Sequence, residues 1–206
     1  LKENVILLAN GEFPKHDNPV NLLNNSDCII CCDGAANSLI NFGKEPYVII
    51  GDLDSIDSKI KNVYSNNILK IENQDNNDLR KALSWISDNI HLHKLYILGS
   101  TGLREDHSIG NIATFLYQSY DFEIEILTNT GVFHIMNSSK TIKTSIGKHV
   151  SLFCINEKQR ITTTGLKYEL NNASINLYSA TLNTAQSNQL SINTTINTPL
   201  LVYISY

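Results

Sequence analysis

Cys28-Ile29-Ile30-Cys31-Cys32-Asp33-Gly34 and Tyr47-Val48-Ile49-Ile50-Gly51-Asp52-Leu53-Asp54-Ser55 are built alike: each is a short apolar run that ends abruptly in aspartate. Successive side chains of a strand point to opposite faces, so a run without polar alternation belongs to a strand covered on both sides. Parallel sheets flanked by helices have that habit. The same texture recurs at Val5 to Ala9, Ile68 to Ile71, Leu95 to Leu98 and Ile124 to Leu127, with segments of helical period between. In Asp78 to Asn89, Leu79, Ala82, Leu83 and Ile86 keep the i, i+3, i+4, i+7 spacing of a one-sided helix, with Asn77 or Asp78 as N-cap. Ala35, Ala36, Leu39 and Ile40 predict a shorter helix closed by Gly43, and Ile109, Ile112, Phe115 and Leu116 another.

From about Gly131 the texture changes. Thr, Ser and Asn alternate with Ile, Val, Leu, Phe and Tyr, as in Val150 to Ile155, Ser174 to Tyr178 and Leu200 to Ile204, with turn-like Asn171-Asn172 and Asn183-Thr184 between. Period two with turns every ten or so residues predicts antiparallel strands in a sandwich. The fold expected is therefore α/β plus all-β: an N-terminal doubly wound, mostly parallel Rossmann-like sheet over residues 1–130, then a C-terminal antiparallel β-sandwich over residues 131–206.

The chain has 206 residues, 42% of them hydrophobic, enough for one large domain or two small ones with real cores. A net charge of -4 argues against a broad nucleic-acid surface, which needs clustered Lys and Arg. No apolar run approaches a membrane span, and Leu1-Lys2-Glu3-Asn4 lacks the layout of a signal peptide. Cys28, Cys31 and Cys32 crowd one strand, with Cys154 far away. Without a second pair at ligand spacing they read as small buried hydrophobes, and a reducing cytoplasm is the expected setting. His91 and His93, with no third ligand in view, read as solvated histidines.

Ligands of open parallel sheets bind outside the carboxyl ends of the strands. There the chain places Asn10-Gly11-Glu12, Asp33-Gly34, Gly51-Asp52-Leu53-Asp54-Ser55, Gln74-Asp75-Asn76-Asn77-Asp78 and Gly99-Ser100-Thr101-Gly102-Leu103-Arg104-Glu105-Asp106-His107. Carboxylates converging on one sheet edge imply a bound cation, because such charges are costly without a partner. Hard oxygen ligands suit magnesium, and magnesium commonly arrives with phosphates. In an extended segment Asp52 and Asp54 would point the same way and could share the ion, and Ser55 reads as a helix cap. Gly99 to Gly102, between a strand and a helix, is a setting in which backbone amides cradle phosphate, with Arg104 as a planar donor fork.

Taken together, these segments resemble the thiamine pyrophosphokinase family. The likeness runs through Leu8 to Gly11, Cys32 to Asn37, Gly51 to Ile56, Asn73 to Asp78 with Lys81-Ala82-Leu83, and Gly99 to His107, then Thr164-Gly165-Leu166-Lys167-Tyr168-Glu169-Leu170 and Ser187-Asn188. The resemblance implies pyrophosphoryl transfer from ATP to thiamine with Mg2+, in a homodimer whose sites lie at the interface, with no nucleic acid and no membrane. It implies Asp52, Asp54 and Asp78 as metal ligands, with Asp33 completing the catalytic carboxylates. Asn10, Gln74, Asp75, Thr101 and Arg104 are implied for ATP, and Asp106, His107, Ser187 and Asn188 for thiamine. The chain departs from the family pattern at Leu53, Asn77 and Leu103, where Phe, Thr and Gly are usual. Val202, with Tyr203 beside it, stands where some members stack thiamine on Trp. Other readings are transfer to another heterocyclic alcohol such as a hydroxymethyl pterin, whose phosphate machinery would look alike; magnesium-dependent phosphate hydrolysis; a nucleotide or thiamine-phosphate sensor, against which the acidic cluster speaks; and a β-sandwich adhesion module on a decayed nucleotide domain, against which intact Asp52, Asp54 and Asp78 speak.

Overall fold

The computed structural model describes residues 2–72 and 76–206. It separates into two compact units, one running up to Thr114 and including Tyr120–Asn129, the other comprising Phe115–Ser119 and Thr130–Tyr206.

The first unit carries strands β1 (Val5–Leu8), β2 (Ile29–Cys32), β3 (Val48–Gly51), β4 (Ile68–Lys70), β5 (Lys94–Leu98) and β6 (Glu123–Leu127). They pair in parallel in the order β6-β5-β1-β2-β3-β4. Every residue of β1, β2 and β3 is buried, which is why these runs carry no polar alternation. The helices between them are α1 (Asp17–Asn24), α2 (Ala35–Asn41), α3 (Ser58–Val63), α4 (Asp78–Asn89) and α5 (Glu105–Tyr117). α4 spans the expected residues and buries Leu79, Ala82, Leu83 and Ile86 toward β2 and β3; each Leu or Ile so buried contributes about 1.5–3 kcal/mol. Asn77 caps it by accepting the amide of Arg80 at 3.0 Å.

The chain runs outward from β1 through β2 and β3 to β4, then returns to lay β5 on the other side of β1. Loops leaving β1 and β5 therefore diverge at a topological switch point, where a crevice opens. Register sets Leu8 beside Cys31 and Leu98, and Cys32 beside Ile50. Asn10, Asp33, Asp52 and Ser100 thus leave the sheet along one edge. α1 and α3 were not apparent as periodic stripes, and burial explains this: α1 buries only Pro19 and Leu23, and α3 buries no residue.

The second unit holds β7 (Gly131–Met136), β8 (Lys140–Lys143), β9 (His149–Phe153), β10 (Ile161–Thr164), β11 (Ala180–Thr184), β12 (Gln189–Thr194) and β13 (Leu200–Ser205). β11-β9-β13-β7 and β10-β12-β8 form two antiparallel sheets. Val150, Leu152, Leu200, Val202 and Ile204 of one share a core with Ile142, Ile161, Leu190 and Ile192 of the other, so this unit is a sandwich.

Two local expectations fail here. Ser174 to Tyr178 forms no strand. Asn176 Oδ1 accepts the amides of Tyr178 and Ser179 at 3.0 and 2.9 Å, and Ser179 Oγ accepts the amide of Asn176, so side chains replace the ladder. Asn183-Thr184 is not a turn but the end of β11. The Asn183 amide is buried, accepting from the amides of Tyr168 and Thr184 and donating to the Tyr168 carbonyl at 2.7 Å. Asn183→Ala leaves these three partly buried backbone partners unmatched and is expected to lower stability by about 2 kcal/mol in denaturant titration.

Candidate functional site

A cleft of about 350 Å³ opens at the carboxyl edge of the parallel sheet, in the first unit alone. Its walls come from the loops after β1 (Asn10, Gly11), β2 (Asp33), β3 (Ser55) and β5 (Ser100, Gly102, Leu103 and Arg104), from Asn77 and Asp78 at the start of α4, and from His107 and Asn111 of α5. Carboxylate oxygens of Asp33, Asp52 and Asp54 lie within 4.8 Å of one another, the one grouping of possible metal ligands among the described residues.

Backbone turns build this cluster. The segment from Asp52 to Asp54 is not extended: Leu53 takes φ 70° and tucks its side chain into the interior, and Asp52 Oδ1 accepts the amide of Asp54 at 3.4 Å. The two carboxylates thus converge through a left-handed turn rather than through strand alternation. Ser55 does not cap a helix, since the cap of α3 is Asp57, which accepts the amide of Lys59. Instead the Ser55 amide donates to Asp33 Oδ2 at 3.1 Å and its hydroxyl to Asp54 Oδ1 at 2.8 Å. Asn37 of α2 holds this loop from behind, donating to the Ser55 carbonyl and accepting the amide of Asp57.

Asp33 is only 3% exposed, and its Oδ1 has no hydrogen-bond partner among the described residues. Burial, reinforced by the charges of Asp54 and Asp78, pushes its carboxyl up to about 6, against the pull of the Ser55 amide. Asp54, exposed, is held below the usual carboxylate range by the Ser55 hydroxyl and by Asp33. Asp78 stands in the same cleft but is tied to Lys81 Nζ at 3.0 Å, one turn along α4, and the lysine side chain is almost wholly buried.

On the opposite wall the loop after β5 is locked to the loop after β1. Amides of Gly11 and Glu12 donate to the carbonyls of Gly99 and Thr101 at 2.7 and 2.9 Å. Gly99, at φ 64°, sits so close that a Cβ would lie 2.4 Å from the Ala9 carbonyl oxygen, so no side chain fits. Leu103 follows at φ 63° with its side chain 76% exposed, a left-handed conformation that branched-carbon residues adopt at a penalty. Arg104 forms a bidentate pair with Asp106, at 2.6 and 3.0 Å, which holds the Asp106 carboxyl down to about 2. Both are largely exposed, so the pair orients the guanidinium more than it stabilises the fold.

Asn10, Asp33, Asp78, Arg104 and His107 thus meet in one cleft, with Asp52 and Asp54 in the cluster at its edge. Thr101 contributes its carbonyl to the loop lock, and Ser187 and Asn188 lie exposed in the second unit just before β12. Gln74 and Asp75 fall outside the described residues. Val202 is fully buried in the sandwich core and presents no stacking face, whereas the Tyr203 ring is half-buried, lies on Phe133 with centroids 4.9 Å apart and contacts the Thr130 hydroxyl.

Asn111 was missed in the sequence: it links Asn77 Nδ2 to the Ser100 carbonyl, joining α4, α5 and the loop after β5, and its signal is a lone amide among the apolar residues of α5. Ser100, Lys81 and Asn37 stand in segments the sequence singles out, but with no role assigned to them. Ser100 is buried in the cleft wall with a hydroxyl that has no partner among the described residues, and Lys81 and Asn37 act from behind the cleft.

A doubly wound sheet with an acidic, loop-built cleft at its switch point, carried in one chain with an all-β unit, defines a two-part α/β enzyme. Residues 20–128 match the family model "Thiamin pyrophosphokinase, catalytic domain" and residues 131–203 match "Thiamin pyrophosphokinase, substrate-binding domain". The chain belongs to the thiamin pyrophosphokinase family. Thiamine pyrophosphokinase 1 of Oryza sativa subsp. japonica is 32% identical in an alignment that covers 71% of this chain and 66% of the rice protein. The crystal structure of thiamine pyrophosphokinase from Bacillus subtilis shares the fold with a TM-score of 0.79 at 22% identity over 98% of both chains. That of thiamin pyrophosphokinase from Candida albicans gives 0.81 at 17% identity over 98% of this chain and 89% of its own.

Because the carboxyl of Asp33 titrates higher folded than unfolded, the folded state binds more protons between about pH 4 and pH 6, and this group weakens the fold as pH rises through that window. Asp33→Asn keeps an acceptor for the Ser55 amide; it is expected to raise the thermal midpoint of metal-free protein by a few degrees at pH 8, the gain vanishing below about pH 4. Leu103→Gly is expected to raise stability by about 1 kcal/mol in denaturant titration, by removing the left-handed penalty.

Proposed function

We propose that this protein is a thiamine pyrophosphokinase that transfers the pyrophosphoryl group of ATP to the hydroxyl of thiamine, in a magnesium-dependent reaction giving thiamine diphosphate and AMP. The observation that carries the reading is the carboxylate cluster at the switch point, with one buried oxygen of Asp33 unpartnered, in a chain whose two parts match both family models.

The residues present fit a magnesium ion. Three carboxylates supply hard oxygen donors within reach of one centre, and the orphaned Asp33 oxygen lacks any other partner among the described residues. Asp33, Asp52 and Asp54 would hold the ion, with Asp78 beside Asp33, the carboxyl carbons of both lying 3.4 Å from where a Gly51 Cβ would stand. When bound, magnesium neutralises charge on the phosphates and orients them for in-line displacement. The protein's own work is positioning. Asn10 and the loop through Thr101 line the nucleotide's path, and Arg104, oriented by Asp106, offers its fork to the triphosphate. Gln74 and Asp75 belong to the same set by family likeness. By family likeness Asp106 and His107 are assigned to the acceptor side of the reaction, and Ser187 and Asn188 to thiamine.

Residues 1–130 are accordingly the ATP- and magnesium-binding catalytic domain, and residues 131–206 the thiamine-binding and dimerisation domain of a homodimer with sites at the subunit interface. Among the described residues no helix is long and apolar enough to cross a membrane. All four cysteines are free and buried, which suits a reducing cytoplasm.

The deciding experiment is AMP formation from ATP and magnesium, with and without thiamine, and mass detection of the product. Thiamine-dependent AMP matched by thiamine diphosphate is expected; AMP released without thiamine would mean hydrolysis instead. Asp54→Asn, an exposed position, is expected to leave the fold intact and lower turnover by about 100-fold or more. Chelation should abolish activity and added magnesium restore it; unchanged turnover in chelator would remove the metal from the reaction.

A further inference from the structure

We propose that Glu169 is a positioning residue for thiamine: its carboxylate shapes the Thr163–Leu166 turn on which the Ser187–Asn188 loop is seated. The inference rests on the reading above, in which that loop contacts thiamine.

Glu169 gathers three donors. Its Oε1 accepts the amides of Gly165 and Leu166 at 2.7 and 3.0 Å, and its Oε2 accepts the Thr163 hydroxyl at 2.7 Å. The Thr163 oxygen in turn accepts the amide of Leu170 at 2.9 Å, closing the turn on itself. A carboxylate is the group that can do this, because it offers several acceptor sites and no donor to clash with the amides.

The turn so shaped is the seat of the neighbouring loop. Its Gly165 carbonyl accepts the amide of Gln186 at 2.8 Å, and the amide of Lys167 donates to the Thr184 carbonyl. Leu166 is paired with Ala185 as an isolated bridge. Gly165 adopts φ 107° so near the following strand that a Cβ would stand 2.4 Å from the Gln189 carbonyl oxygen. The residues between Gln186 and Gln189 are Ser187 and Asn188, both exposed. Beyond this seat, among the described residues, the tip is tied by the amide of Thr144, which donates to the Asn188 carbonyl at 3.0 Å, and by the amide of Gln189, which donates to Ser187 Oγ at 3.3 Å. An exposed tip with so few ties takes its position from what lies beneath it. Removing the carboxylate leaves the amides of Gly165 and Leu166 and the Thr163 hydroxyl to find new partners, and the seat moves.

The test is steady-state kinetics of Glu169→Ala and Glu169→Gln with thiamine and ATP varied separately, together with hydrogen exchange of the Gln186 to Gln189 amides. Glu169→Ala is expected to raise the thiamine KM about 10-fold or more while the ATP KM and kcat stay near wild type. Exchange at the loop should quicken. Glu169→Gln keeps an oxygen for the two amides and should recover most of the loss. Should Glu169→Ala fail to fold, Thr163→Val and Glu169→Gln carry the test, with a smaller rise in thiamine KM expected from each. Thiamine-dependent turnover in wild type with an unchanged thiamine KM in folded variants would overturn the inference alone. Wild-type protein that forms no AMP in response to thiamine would overturn the reading on which it rests.

Discussion

Carboxylates held within 4.8 Å of one another repel, and Asp33 does so from a position almost closed to solvent. Its surroundings are arranged around that repulsion. The Ser55 amide and hydroxyl bond to Asp33 and Asp54, Asn37 braces the loop that brings Ser55 there, and the left-handed turn at Leu53 swings Asp54 back toward Asp52. Beside Asp33, Asp78 has a buried ammonium, Lys81, to answer its charge. Such a pair does little for net stability, because desolvation offsets most of the attraction, but it holds the carboxylate in place. The result is a site stored in an electrostatically uncomfortable state that a hard cation would relieve.

Apolar strands alone could not produce this placement. Burial on both faces of β1, β2 and β3 makes their register rigid, and that rigidity lets loops from separate strands present side chains to one point. The lock between the loops after β1 and β5 and the amide relay through Asn111 serve the same end on the other wall. The geometry of the cleft is a property of strand ends, braced by neighbours in and behind its walls.

In the second unit the bracing is done differently. Its wealth of Asn, Thr, Ser and Glu is not surface decoration, since Asn176, Asn183 and Glu169 each bond backbone groups of their own or neighbouring loops. Side chains that compete with the ladder stop one segment, Ser174 to Tyr178, from becoming a strand, and in another, Asn183, they allow a strand to carry a buried amide. Alternation of polar and apolar residues looks the same in both cases. The difference lies in whether the polar atom finds its partner within a few residues or across the fold.

Much of the molecule was therefore legible before any coordinates. The buried runs, the one-sided helix from Asp78 to Asn89, the loops that carry Asp33, Asp52, Asp54 and Arg104, and the change to a sandwich near Gly131 all follow from periodicity and from where glycine and aspartate interrupt it. Those signals are local, and a single sequence displays local signals well. Helices α1 and α3, which bury almost nothing, left no stripe to read. The grouping of Asp33 with Asp52 and Asp54, the part played by Asn111 and the seat beneath Ser187 and Asn188 depend on which strand lies beside which and on backbone turns at Leu53 and Gly165. By itself the sequence determined the elements and the chemical character of the loops, because propensity and burial act residue by residue. The tertiary structure alone decided which of those loops share a site, because contacts between residues far apart in the chain come into being only when strand order and register bring them together.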